Sequence, residues 1–522
     1  MRIDRRLFVT GAAAVWAWAG AAGALPRFVS QALARSREEI STDPALYGET
    51  VPFSVARLRE LAEALSQRDY EDRRGEVPGS LTSMDFSTYR QIQPGPAWPQ
   101  PIAPDNRFAF EALLPGFVYN QPVELWVVRG ESAQKVVYKA DSYVVGDAAK
   151  DGFPSGDLPF SGFNLQSGVA DDGALREFAS FQGASYFRAV GRGETYGLAA
   201  RGLAIDTGVP TGEEFPVFRA FWIVEAPDDA AAITVFALLD SPSTTGLYKF
   251  TLAPGDATYT DVELTLFPRR TIRTIGFAPF SSMFLFSDIN RNEYNDYRDA
   301  VHDSDGLSIL RGNGEWLWRP LDNPSRLEVS AFVDENPQGF GLVQRKRNFT
   351  DYEDAEARFE LRTSAWVEPR GSWGKGSVVL FEIPTTREWN DNIVAYWQPA
   401  VQPERGRPFD LAYRIHWESL PQVAAPGPQV INTRIGRNLS DDRYLIVVDY
   451  LLRGSSIENL GVDLAVSAGS TSNLTQYPLP TRDILRVTFE FDPDDADLSE
   501  MRLALVPESG PPGERWLYRW TR

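Results

Sequence analysis

Carboxylates, arginines and aromatic rings crowd three stretches of this 522-residue chain. The first runs Gly183-Ala184-Ser185-Tyr186-Phe187-Arg188, then Arg201-Gly202-Leu203-Ala204-Ile205-Asp206, then Gly212-Glu213-Glu214-Phe215-Pro216. The second joins Val301-His302-Asp303-Ser304-Asp305-Gly306 to Gly312-Asn313-Gly314-Glu315-Trp316-Leu317-Trp318-Arg319-Pro320. The third is Glu388-Trp389-Asn390-Asp391-Asn392-Ile393-Val394-Ala395-Tyr396-Trp397. Short polar loops between apolar strands are where functional side chains concentrate. The chain has no cysteine and only two histidines, His302 and His416. Thiol nucleophiles, disulfides, iron–sulfur clusters and zinc ribbons are therefore excluded. Two distant imidazoles leave little for a transition-metal site, so no metal and no cofactor are expected. The chemistry left is carboxylate chemistry.

Aromatic residues are abundant, with 14 Trp, 19 Tyr and 31 Phe, and seven of the tryptophans lie between Trp316 and Trp417. A single tryptophan in such a block usually packs a core. For the block as a whole, a groove with at least two rings facing sugar is expected, because flat aromatic faces suit the apolar faces of sugar rings. The formal charge of −19 and the lack of a Lys/Arg-rich run argue against nucleic acid and against an anionic membrane surface.

These residues need a frame. Residues 1–34 read as an export signal: Arg5-Arg6 precedes a modest Ala/Gly-rich apolar run, and Ala32-Leu33-Ala34 is a cleavage candidate. The arginine pair resembles a twin-arginine signal. No later run is long enough to span a membrane, so stable insertion is not expected. One helix follows, capped by Ser54, with Val55, Leu58, Leu61, Ala62 and Leu65 on one face. Strands then dominate: Val123–Val128, Val136–Tyr138, Ile233–Leu239, Tyr248–Leu252, Ala257–Leu266, Leu327–Phe332 and Ser377–Ile383, punctuated by 41 Gly and 37 Pro. This pattern predicts an all-β protein whose main domain, 35–418, is a large β-sandwich. Residues 419–428 form a Pro-rich linker. About six short strands in 429–522 predict a small immunoglobulin-like sandwich.

The chemistry-bearing stretches resemble the periplasmic osmoregulated-glucan biosynthesis proteins of the G and D type. The matching words are GASYFRAVGRGETYGLAARGLAIDTG, FALLDSPSTTGLYKF, APFSSMFLFS, VHDSDGLSI, GNGEWLWRPLDNP, ENPQGFGLVQR, WGKGSVVLFEIPT and NDNIVAYW. The similarity is dense from about Phe53 to the linker and fades beyond it. The twin-arginine start resembles the D type more than the G type.

The resemblance implies a periplasmic protein with a cleft in the large sandwich, acting on β-1,2-glucan as an anomer-inverting hydrolase or transglycosylase. It implies Asp391, of the NDN word, as general acid and Asp303, of the HDS word, as general base. Inverting cleavage needs such a pair, roughly 6.5–9.5 Å apart when one water lies between them, and further apart when a longer relay carries the proton. The residues around Asp391 suit the acid: Asn390 and Asn392 add no like charge, and Trp389, Ile393, Val394 and Trp397 exclude water, which raises a carboxyl pKa. Substrate contacts are expected from His302, Tyr186, Arg188, Glu214, Trp316, Trp318, Trp366, Trp373, Glu388 and Trp389. The expected partners are the neutral glucan and other glucan-synthesis proteins.

Each aspartate also has a plainer reading. NDN is a good turn sequence, and Asp-Ser-Asp-Gly is turn-like but lacks the further acidic positions of a calcium loop. The chain departs from the family where relatives commonly carry Arg-Tyr and this one has Arg358-Phe359, and again at Trp389. These departures keep open a second reading, a non-catalytic glucan-binding or assembly factor. A mutarotase-like epimerase is weaker, because His302 is the only histidine in the relevant block.

Overall fold

The computed structural model describes residues 40–522 apart from 169–172, 422–423, 440, 442, 456, 458–459, 481–482 and 509–511. The export signal expected over 1–34 lies outside the described residues, as do Gln422 and Val423 of the linker. No helix among the described residues is long and apolar enough to cross a membrane.

The described chain is nearly all β. Two extended sheets, of 15 and 11 strands, carry most of it. Their facing sides meet in one continuous apolar core. Phe163, Phe181 and Phe187 stack across three neighbouring strands of the smaller sheet, with ring centroids 5.1 and 5.5 Å apart. Phe221 and Phe250 of the larger sheet meet Phe181 edge to face, the geometry aromatic quadrupoles favour. Strand Ile275–Ser282 is buried at every position, which explains why its sequence shows no alternation of apolar and charged residues.

The helix occupies Val55–Ser66, and the Ser54 hydroxyl caps it by accepting from Arg57 N–H. Its apolar stripe is narrower than the periodicity predicts. Leu58 and Ala62 bury against Trp126, Trp222 and Phe236, and Leu65 is partly buried. Val55 and Leu61 are exposed, because the helix lies on the outer face of the sheet and only one edge of it touches. The strand expected at Val136–Tyr138 ends at Val136 and begins earlier, as Ser132–Val136.

Beyond the linker, strands Gln429–Arg437, Tyr444–Leu451, Ile484–Asp492 and Ser470–Pro478 form a four-stranded sheet. It faces Leu460–Val466, Leu498–Pro507 and Arg515–Thr521 across a second core, which also takes in Ile289, Trp318 and Val343. These three strands also continue the 15-stranded sheet, because Arg515–Thr521 runs parallel to Trp316–Pro320, pairing Leu317 with Arg515 and Trp318 with Trp516. Strand Ser470–Pro478 escapes sequence pattern because all nine of its residues are exposed on a sheet edge. The linker is tied down: Ala425 is buried against Trp316 and Trp366, and Arg345 reaches across to Glu514 through two hydrogen bonds of 2.9 and 2.6 Å.

Candidate active site

Asp303 and Asp391 are both buried, at 5 % and 4 % exposure, and the adjacent residues Met283 and Phe284 anchor Asp303 and the neighbour of Asp391. Strand Val301–His302 pairs with Phe284–Phe286, and Asp303 N–H then donates to the Met283 carbonyl at 2.8 Å. Asp391 precedes strand Ile393–Pro399. Its neighbour Asn392 accepts from Phe284 N–H at 2.8 Å and donates to the Phe284 carbonyl at 2.9 Å and to the Ile383 carbonyl at 3.1 Å. The side chain of Asn392 thus stands in for a strand partner. The NDN word is a turn, as its composition suggests, and that turn holds a carboxyl at a defined place.

Burial pushes the Asp391 carboxyl up to about 7; the positive charges of Arg188 and Arg201 oppose the rise, and the negative charge of Asp303 adds to it. Asp303 is also raised by burial, opposed by Arg362 and Arg188 and reinforced by Glu388. Arg362 Nε lies 3.4 Å from Asp303 Oδ1. One oxygen of each carboxyl, Asp303 Oδ1 and Asp391 Oδ2, accepts no hydrogen bond. Two buried carboxyls with an acceptor to spare, sharing the field of Arg188, can hold one proton at neutral pH and pass it to a ligand.

Tyr186 borders this pair. Its hydroxyl is pushed up to about 12, mainly by burial. The Arg201 guanidinium stands 5.1 Å over its ring, donates to Ser281 Oγ at 2.7 Å and pairs with Glu213 at 2.7 Å. The carboxylate that reaches the site is therefore Glu213. The expected contact, Glu214, turns the other way: it accepts from Ser243 N–H and Oγ–H and from Arg270, at 2.9, 2.6 and 3.0 Å. Glu388 pairs with Arg298 at 2.8 Å, and Arg298 also binds Asp296 and Asp354.

Several expected substrate contacts need correction. His302 is 0 % exposed and pushed down to about 4, mainly by burial, so its imidazole is neutral. It bonds Gln344 at 2.8 Å, stacks on Phe284 and meets Tyr352 edge-on, which leaves no face for a ligand. Trp316 stacks on Trp366 with centroids 5.6 Å apart, Trp318 is covered by Arg345 at 3.5 Å, and Trp373 packs with Trp397 and Tyr413. All four are interior residues. In the tryptophan-rich block only Trp389 is exposed, at 46 %, with the Arg387 guanidinium 4.9 Å over its ring. The tryptophans of this block therefore do not form the expected groove with two or more open rings; Trp389 alone among them is exposed. Phe359 is buried beside Tyr352, and its carbonyl accepts from Gln344.

Sequence reasoning overlooked Arg201, Glu213, Arg362 and Asn392 as members of the site. Arg201, Glu213 and Asn392 lie inside the stretches that mark the site, so their signal was present, whereas Arg362 lies outside them. Arg201 reaches Tyr186 through strand pairing, and Glu213 joins it by a side-chain bond from the loop that follows. Gly197 is also part of the arrangement: a Cβ there would lie 3.0 Å from Arg362 Cβ and 3.4 Å from Asp303 Cβ. Among the described residues no group of three or more His, Asp or Glu is placed to hold a metal ion.

Comparison with known proteins bears on what the site serves. The model of the family described as "Periplasmic glucan biosynthesis protein, MdoG" matches residues 53–520. "Glucans biosynthesis protein G" of Shewanella frigidimarina is 40 % identical over 496 residues, covering 94 % of this chain and 89 % of that protein. "Glucans biosynthesis protein G 1" of Shewanella oneidensis is 41 % identical over 482 residues, covering 91 % and 88 %. The protein G of Vibrio cholerae is 40 % identical over 479 residues, again covering 91 % and 88 %. All three names carry the G designation, which corrects the expected closeness to the D type. The chain belongs to the MdoG family of periplasmic glucan biosynthesis proteins.

Proposed function

We propose that this protein acts on the β-1,2-glucan backbone as an inverting hydrolase or transglycosylase, with Asp391 as general acid and Asp303 as general base. The observation that carries the reading is the unequal pair itself. Asp391 is buried and pushed up to about 7, while Asp303 sits beside the Arg362 guanidinium. In the reaction, protonated Asp391 donates to the glycosidic oxygen as the C1–O bond breaks. Water attacks C1 from the opposite face and gives its proton to Asp303 carboxylate, so one water is consumed and the anomeric configuration inverts. A sugar hydroxyl in place of that water yields transfer. Arg188 offsets the negative charge the two carboxyls share as the proton moves. The β-1,2 linkage rests on the family resemblance.

The test is incubation of the purified protein with linear β-1,2-glucan, following chain length and the anomer first released. Turnover by the wild type, abolished in Asp391→Asn, is expected. Equal inertness of both overturns the enzymatic reading.

A second reading, a non-catalytic binding or assembly factor, is favoured by Phe359, which offers no hydroxyl where relatives commonly have Tyr. Saturable glucan binding without turnover, weakened in Trp389→Ala, is its signature. We also propose that the chain leaves the cytoplasm folded, by the twin-arginine route, and meets other glucan-synthesis proteins in the periplasm. Replacing Arg5-Arg6 by Lys-Lys should then leave it in the cytoplasm.

A further inference from the structure

The loop over 384–391, which carries Asp391, is fastened at a second point besides Asn392. Asn323 Oδ1 accepts from Thr385 N–H at 2.9 Å, and Asn323 Nδ2 donates to the Thr385 carbonyl at 2.8 Å. Thr385 Oγ1 then accepts from Asn390 Nδ2 at 3.1 Å, next door to Asp391. On its other side, Asn323 N–H donates to Asp322 Oδ1 at 2.8 Å. Asp322 Oδ2 accepts from the Tyr518 hydroxyl at 3.0 Å. Tyr518 lies in strand Arg515–Thr521, and its ring is stacked on Trp516 in the core of the C-terminal strands. Each link is a hydrogen bond of ordinary length, and Tyr518 is held in place from behind.

We propose that Tyr518 is a positioning residue: through Asp322, Asn323 and Thr385, the C-terminal strands set the place of Asp391. The coupling stands on these contacts alone; only its kinetic readout rests on Asp391 acting as the acid. The C-terminal unit is then a working part of the site, and anything that binds it and shifts Arg515–Thr521 will alter how the acid is presented.

The test is hydrogen–deuterium exchange on the full chain carrying Tyr518→Phe, which deletes one hydroxyl and keeps the ring. Exchange across 384–392 should rise about tenfold, the order of factor one hydrogen bond is worth, with the helix and the central strands of the large sheet unchanged. Turnover of linear β-1,2-glucan should fall by a similar factor at unchanged KM. Its alkaline limb should move to lower pH as water reaches Asp391, which a merely structural contact would not cause. If Tyr518→Phe does not fold, Asn323→Ala serves, with the same rise at 384–392 expected. Unchanged exchange at 384–392 in a folded variant overturns the proposal. A rise in exchange in a protein whose wild type leaves glucan intact supports the coupling and overturns the enzymatic reading instead.

Discussion

Asn392 grips Phe284 by both of its backbone groups, accepting from its N–H and donating to its carbonyl. This places Asp391 above the strand whose preceding residue, Met283, holds Asp303. Asn392→Ala leaves Phe284 N–H and two carbonyls without partners in a buried place. At roughly 1–3 kcal/mol for each unsatisfied group, partly relieved by relaxation, the loss of stability should be about 2–4 kcal/mol. Urea unfolding of the variant checks it; a change below about 0.5 kcal/mol would show that the clamp is dispensable.

The raised Asp391 carboxyl makes stability depend on pH. The unfolded value is near 3.9 and the folded one about 7. Between these values the folded state binds the extra proton, so stability falls as pH rises from about 4 to about 7 and the penalty is complete above that. Asp391→Asn removes the penalty. It should unfold at higher denaturant than the wild type at pH 8 and by the smallest margin at pH 4. A margin independent of pH sinks the assignment.

Arg362 opposes the burial that raises Asp303. In Arg362→Gln, Asp303, the proposed base, should charge only at higher pH. The acid limb of the turnover profile should move upward, with turnover near neutrality falling on the order of 10- to 100-fold. The alkaline limb, set by Asp391, should stay. An unmoved acid limb excludes Asp303 as the base.

The tryptophans separate by role. Trp389→Ala should leave stability within about 0.5 kcal/mol, as surface substitutions do, while weakening glucan binding. Trp366→Ala removes a ring stacked on Trp316 and should cost about 3–5 kcal/mol with no separate effect on affinity. Thermal melting and calorimetric titration of both variants distinguish the two.

Position 197 tests how tightly Asp303 and Arg362 are held. The extra methyl of Gly197→Ala meets Arg362 at 3.0 Å, tighter than an ordinary contact. Arg362 must give way, so turnover should drop in the same direction as in Arg362→Gln while the melting temperature changes little. Wild-type turnover in this variant would show that the neighbourhood yields freely.

The all-β architecture was legible because strand alternation and turn residues are local properties. Asp303 and Asp391 were legible because each sits in a short, distinctive word. What surrounds them was not. Arg201 faces Tyr186 because their two short strands pair in a register that local pattern does not fix, and Glu213 then meets Arg201 from the following loop. Glu213 and Glu214 are chemically alike, and only chain direction at that point decides which faces the site. The tryptophans misled for a related reason: composition reports how much aromatic surface exists, whereas orientation depends on which side of a strand each ring leaves. Trp316 and Trp366 meet across a sheet that no local pattern anticipates.

The parallel pairing of Trp316–Pro320 with Arg515–Thr521 carries a mechanical consequence. Two units sharing one hydrogen-bonded ladder have no free hinge between them, so the site cannot be uncovered by swinging one unit away from the other. Access to the buried Asp303 and Asp391 must come from movement of the side chains and loops that cover them. A chain cut at the linker would bare the flank of Trp316–Pro320, a ready template for pairing with another copy. It would behave as an aggregating fragment rather than a smaller working protein.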